Sequence, residues 1–247
     1  MRPQLWIDFE TGGTNPWFHS PLSCAMIGVN SLGQVIGEWY GQIRQHPLNV
    51  TPEAMKINKL NLDHAGVDFA QFNQIYFRLI NDWFYGGTNW HLSGKTYLKP
   101  NIKPSRENMP FFCGHNTPFD RSFLQQILGG SPGETKYDGV YYHSIDTMVL
   151  ANSLQVAGII ERGENLKLET LCKVLKIEPV EGEMHNAQTD IRATRQCFLK
   201  MIQSLKEMHY VYEKVRTRED ILQLIEIPSA RHEPLNFNEG QNLQSTL

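Results

Sequence analysis

No C-x-x-C pair occurs in this 247-residue chain, and its four cysteines, Cys24, Cys113, Cys172 and Cys197, are spread through apolar surroundings. That leaves no disulfide framework or paired-thiol motif, so buried, reduced thiols in a cytoplasmic protein are expected. Long apolar runs are missing too: none approaches the length needed to span a bilayer, and no membrane partner is expected. Positive charge is in short supply, with 23 Lys and Arg against 26 Asp and Glu and a net charge of −3. A polyanion would therefore have to be held by a local basic patch or by bound metal rather than by the overall field. Met1-Arg2-Pro3-Gln4 leads straight into an apolar run, so no signal peptide is expected. There is no internal repeat. What is present is ordinary globular composition, 40% apolar and 20% charged, enough for a sizeable core.

Leu5-Trp6-Ile7-Asp8-Phe9-Glu10-Thr11-Gly12-Gly13 opens the chain as a buried strand that ends in two carboxylates and a turn. Side chains two apart on a strand share a face, so Asp8 and Glu10 project together. Side by side they repel unless a cation lies between them, and such oxygen ligands suit Mg²⁺ or Mn²⁺. On its own such a pair is more often a solvated strand edge.

Residues 24–31 and 34–44 read as two further strands joined by a tight turn. Thr51 and Pro52 begin a short helix. Asp68 caps an amphipathic helix that carries Phe69, Phe72, Ile75, Tyr76, Leu79, Ile80 and Trp83 at three-to-four spacing. From Tyr85 to Pro110 the periodicity fails, and the stretch reads as an insertion mixing Trp90 and Tyr97 with Lys95, Lys99, Lys103 and Arg106. Ser93-Gly94-Lys95-Thr96 is not a phosphate loop, because Asn89 stands where that motif needs glycine. A strand at 111–116, a helix at 118–128, a strand-to-helix run from Tyr141 with Asp146 at the change, and a short helix at 168–175 follow. Asn186 caps a long helix reaching about Met208 with Ile191, Thr194, Phe198, Met201 and Leu205 inward. A helix near 218–225 and a polar tail at 226–247 close the chain. Strands first, then alternating strand and helix, predict an α/β fold with a mixed sheet.

Two more acidic sites lie at element ends. In His115-Asn116-Thr117-Pro118-Phe119-Asp120 the acid falls in the first turn of a helix, where the macrodipole alone would favour it. In His185-Asn186-Ala187-Gln188-Thr189-Asp190 a loop histidine and a helical aspartate can converge on one point. Asp8, Glu10, Asp120 and Asp190 together would strongly destabilise the fold without a counter-charge. With two divalent ions they would form a two-metal site for in-line phosphoryl displacement. A neutral His185 beside it could deprotonate water.

The motif order D-x-E-T-G-G, H-N-x-x-F-D and H-N-A-x-x-D resembles the DnaQ-like, or DEDDh, family of 3′–5′ exonucleases, over roughly residues 4–205. The resemblance implies a ribonuclease H-like mixed β-sheet flanked by α-helices. It implies a hydrolase with Mg²⁺ or Mn²⁺, two ions, as cofactor. Asp8, Glu10 and Asp190 would hold the first ion, Asp8 and Asp120 the second, and His185 would be the general base. Thr11 and the Gly12 backbone would lie near the 3′-terminal nucleotide and Asn116 near the scissile phosphate. The expected domain is 1–210 with the insertion 85–110, followed by 211–247 as helix and polar tail. The expected activity is release of nucleoside 5′-monophosphates from the 3′ end of single-stranded DNA. Two alternatives stand beside it, an exoribonuclease acting on RNA 3′ ends and an inactive exonuclease-like interaction module. No polymerase module is evident, so the domain is expected to act freely or with a polymerase or replication partner. Trp90 and Tyr97 are expected to stack on bases of the strand.

Overall fold

Alternation along β1 (Gln4–Thr11) decides where the rest of the chain packs. In this computed structural model, which describes residues 1–61, 66–86, 90–93, 97–100, 105–178 and 186–216, strand β1 is central. For 90–93, 97–100 and 214–216 the description covers the backbone. Leu5, Ile7 and Phe9 face one cluster with Phe72 and Tyr76 of α2 (Phe69–Phe84) and Phe123 and Leu124 of α3 (Thr117–Ile127). Trp6 faces the other, with Ile191 and Phe198 of α6 (Ala187–Arg216), its ring centroid 5.2 Å from that of Phe198. Each such large apolar side chain, fully buried, stabilises the fold by roughly 1.5–3 kcal/mol. Asp8 and Glu10 continue the register of Trp6, which aims them toward the α6 side.

The sheet has the order β3-β2-β1-β6-β7. Strands β2 (Pro21–Val29) and β3 (Val35–Gln42) run antiparallel to their neighbours. Strands β6 (Phe111–Gly114) and β7 (Tyr141–Asp146) join in parallel. This five-stranded mixed sheet flanked by helices is the expected ribonuclease H-like α/β arrangement. Parallel pairing puts the ends of β1 and β6 at one edge of the sheet, where α3 starts. Between α2 and β6 the chain forms a second, two-stranded sheet of β4 (Trp90–Ser93) and β5 (Tyr97–Pro100). A stretch read from sequence as lacking periodicity thus contains a hairpin.

Helix starts follow the side-chain chemistry. Thr51 caps α1 (Pro52–Asn58) by accepting from the Ala54 amide, and Asp68 with Gln71 forms a reciprocal capping box on α2. Asn186 accepts from the Gln188 amide at 2.9 Å to open α6. A third apolar cluster joins α4 (Thr147–Val156), α5 (Leu168–Val174) and α6. Within it Cys172 and Cys197 place their sulfurs 3.7 Å apart, and all four cysteines are free and buried. Contacts divide the chain into Met1–Leu205 and Lys206–Leu247. The helix expected near 218–225 and the tail at 226–247 lie outside the described residues. Among the described residues no helix is long and apolar enough to cross a membrane.

Candidate metal centre

Asp8, Glu10 and Asp190 each present a carboxylate oxygen, and these atoms all lie within 4.8 Å of one another. The first two come from one face of β1 and the third from the first turn of α6. Glu10 is buried, while Asp8 and Asp190 are half-buried and open to an arriving ion. Burial and the charges of Asp120, Glu10 and Asp190 all push the Asp8 carboxyl well above the usual carboxylate range. Burial first, and then Asp190, raise Glu10 to about 7. Every influence on these two groups acts in the same direction, toward the protonated carboxyl. The donor set is all carboxylate oxygen, the ligand type that hard divalent ions take, so the residues fit Mg²⁺ or Mn²⁺.

Asp120 reaches the same place from α3. It is 2% exposed, and its Oδ1 accepts the Phe9 amide, between Asp8 and Glu10, at 2.9 Å. Burial raises its pKa, the Phe9 hydrogen bond opposes this, and Glu10 and Asp146 push it up again. Gly114 at the end of β6 makes the approach possible. A Cβ there would stand 3.1 Å from the Ile7 carbonyl and 3.9 Å from Asp120 Oδ2.

Asp146 positions Asp120, and sequence reading left it as a boundary marker. Its Oδ1 accepts from the amides of Met148 (2.9 Å) and Asn116 (3.1 Å). Its Oδ2 accepts from the Thr117 amide (2.8 Å) and hydroxyl (3.1 Å). One carboxylate therefore caps both α4 and α3. Helix α3 needs this help, because Asn116 sits in the left-handed region (φ 65°) and makes no side-chain cap. The detectable signal was an Asp at a strand-to-helix change, a preferred N-cap. Its second helix lay 29 residues away.

The remaining expected site residues are placed as follows. Thr11 is buried, with its hydroxyl on the Gly13 carbonyl and its own carbonyl accepting from Asn58. The Gly12 amide donates to Ser20 at 2.7 Å, and its carbonyl accepts from Thr51 at 2.7 Å. A Cβ at Gly12 would meet the Asn49 carbonyl at 2.4 Å. The glycine is thus required by backbone packing, and its amide is already engaged within the protein. Asn116 is exposed beside the start of α3. Trp90 and Tyr97 begin β4 and β5 in backbone, and their side chains lie outside the described set. His185 also lies outside the described residues.

The histidine of the second motif is a tie within the fold. His115 Nε2 meets the Leu166 carbonyl at 2.8 Å and Nδ1 meets Thr147 Oγ1 at 2.9 Å. A carbonyl only accepts, so Nε2 carries the proton. Burial lowers the His115 pKa, against the opposing effects of Leu166 and Asp146.

Escherichia coli exonuclease I in complex with a dT13 oligonucleotide matches 91% of this chain and 46% of its own, with 21% identity and a TM-score of 0.59. A product-bound exonuclease I structure matches 92% of this chain and 49% of its own, with 19% identity and a TM-score of 0.61. The fold is shared with exonuclease I. A complex of that enzyme with SSB-Ct matches equally well, 92% of this chain at 20% identity and a TM-score of 0.59. The chain spans about half the length of these structures. No protein-family profile matches it, and no curated protein matches it in sequence.

Proposed function

We propose that this chain is a metal-dependent 3′–5′ exonuclease that removes nucleoside 5′-monophosphates from single-stranded DNA. The observation that carries this reading is the cluster of Asp8, Glu10 and Asp190 oxygens, with Asp120 buried beside it. Asp8, Glu10 and Asp190 would hold one divalent ion, and Asp8 and Asp120 would hold or orient the second. When bound, the pair supplies Lewis-acid polarisation of the phosphoryl oxygens and neutralises charge on the leaving group. The carboxylates keep the ions oriented, and the half-buried Asp8 and Asp190 leave a face for the phosphodiester. His185, five positions before Asp190, takes the proton from the attacking water, a role worth on the order of 10²–10⁴-fold. The shared fold with an exonuclease solved on a dT13 strand supports DNA as the polymer.

The test is a sequencing-gel time course on 5′-labelled single-stranded DNA and RNA with Mg²⁺, Mn²⁺ or EDTA. The expected result is a ladder shortening from the 3′ end of DNA in either metal and none in EDTA. A faster RNA ladder would make the chain an exoribonuclease. No cleavage of either polymer in Mn²⁺ would overturn the enzymatic reading in favour of an inactive interaction module.

A further inference from the structure

Helix α3 has two working faces. Asp120, Phe123, Leu124 and Ile127 turn inward. Pro118, Arg121, Ser122 and Gln125, at helical spacing on the opposite side, line an open groove of about 510 Å³. Trp17 and Tyr142 form its aromatic walls. Both are exposed, Trp17 by 37% and Tyr142 by 65%, which is unusual for rings with this much apolar surface. Hydrogen bonds hold the backbone beneath both rings. Trp17 sits in a turn held by Asn15, whose amide donates to His19 Nδ1, while Gln126 of α3 donates to the His19 carbonyl. The Tyr142 carbonyl accepts from Arg121 at 2.9 Å.

Tyr142 continues into a row of tilted rings along the edge strand, with His143 and Tyr141 ring centroids at 3.9 and 4.4 Å and interplanar angles of 43° and 46°. Cations flank that row in a chain whose net charge is negative. The Arg2 guanidinium stands 4.1 Å above the Tyr141 ring, and Arg2 and Arg106 both act electrostatically on Tyr142. At its other end the groove meets Pro118, two residues from Asp120.

We infer that this groove seats the bases of a single nucleic-acid strand, stacked between Trp17 and Tyr142 while Arg2 and Arg106 follow the phosphates. The inference rests on the exonuclease reading and extends it to the part of the strand away from the cleaved end. Paired aromatic walls accept any base face, and flanking arginines suit a polyanion. Bases in a duplex are stacked on each other and offer the groove their edges alone.

The test measures anisotropy of a 5′-labelled oligo(dT) in EDTA, so binding is read without hydrolysis. Trp17→Ala and Tyr142→Ala each weaken binding by about tenfold, Tyr142→Phe retains it, and Arg2→Gln flattens the salt dependence. Melting curves of all four variants match the parent, since these side chains are on the surface. Binding unchanged in both alanine variants overturns the groove, as does equal competition by poly-glutamate. A separate arm follows cleavage of thymidine 5′-(p-nitrophenyl phosphate) by the parent protein in Mn²⁺. Failure there overturns the exonuclease reading while the anisotropy result still decides the groove.

Discussion

Asp120 and Arg121 are neighbours on α3, yet they serve buried acids of opposite kinds. Arg121 turns to Asp138, a 5% exposed aspartate, and places both Nε and Nη2 2.9 Å from its Oδ2. Burial raises the Asp138 pKa, and Arg121 and nearby amides pull it back. Asp120 turns the other way and joins Asp8, on which burial and three carboxylates all act upward. One buried acid therefore carries its counter-charge within the chain. The other group assembles like charges at one strand end. Burying charge is expensive, so the contrast separates an acid met by a basic side chain from acids whose pKa values burial and their like-charged neighbours raise. A cation that binds the folded chain would also stabilise it.

The largest test of that contrast is Asp120→Asn, which removes the charge while keeping an acceptor for the Phe9 amide. Hydrolysis falls by about 10³-fold or more, since metal assistance contributes several kcal/mol. The melting temperature in EDTA stays level or rises. Unchanged activity and Mn²⁺ stoichiometry would break the comparison.

Arg121→Met probes the other side. It strands Asp138 as a buried charge and lowers stability by about 3 kcal/mol in urea titrations. Asp8→Asn in metal-free buffer shifts the midpoint upward instead. If both variants moved it in the same direction, the two acids would not differ in kind.

Acidity gives a third, intermediate effect. Glu10 titrates near 7 when folded and near 4.5 otherwise, and Asp8 and Asp120 are raised in the same sense. The folded state thus holds more protons, so metal-free stability is greatest below about pH 4.5 for these groups and declines as pH climbs to about 7. For Glu10 the decline is at most about 3 kcal/mol. Calorimetric melts in EDTA across this window measure it, with Mn²⁺ reversing the trend. A melting temperature that rises with pH in EDTA would contradict the raised carboxylates.

The smallest effect is at Asp146. Asp146→Asn leaves one acceptor oxygen for two helix starts, so one cap is lost at about 1 kcal/mol. Mn²⁺ affinity by calorimetry weakens a few-fold as the start of α3 loosens. Unaltered affinity would make the shared cap irrelevant to Asp120.

Much of this was visible in the chain itself. Period-two alternation around Trp6, Asp8 and Glu10 marks the strand and aims the carboxylates. The three-to-four spacing of Phe72, Tyr76 and Ile80 marks α2. Features that join distant segments were not visible. The role of Gly12 depends on the Asn49 carbonyl, and the second helix capped by Asp146 depends on the parallel pairing of β6 and β7. The β4–β5 hairpin spans two four-residue strands, too short for alternation to register. His115 stood in the second motif without a role, and only packing against Leu166 reveals it as a tie.

The placement of Asp190 on α6 also sets when the acidic cluster is completed during synthesis. Asp120 and Asp190 are 70 positions apart (190 − 120). At translation rates of about 5–20 residues per second, roughly 4–14 seconds separate their synthesis. Throughout that interval the nascent chain carries three acids and no fourth. The helix that brings Asp190 is the one that lays Phe198 against Trp6. Packing α6 on the core and bringing the Asp190 carboxylate to Asp8 and Glu10 are therefore one event.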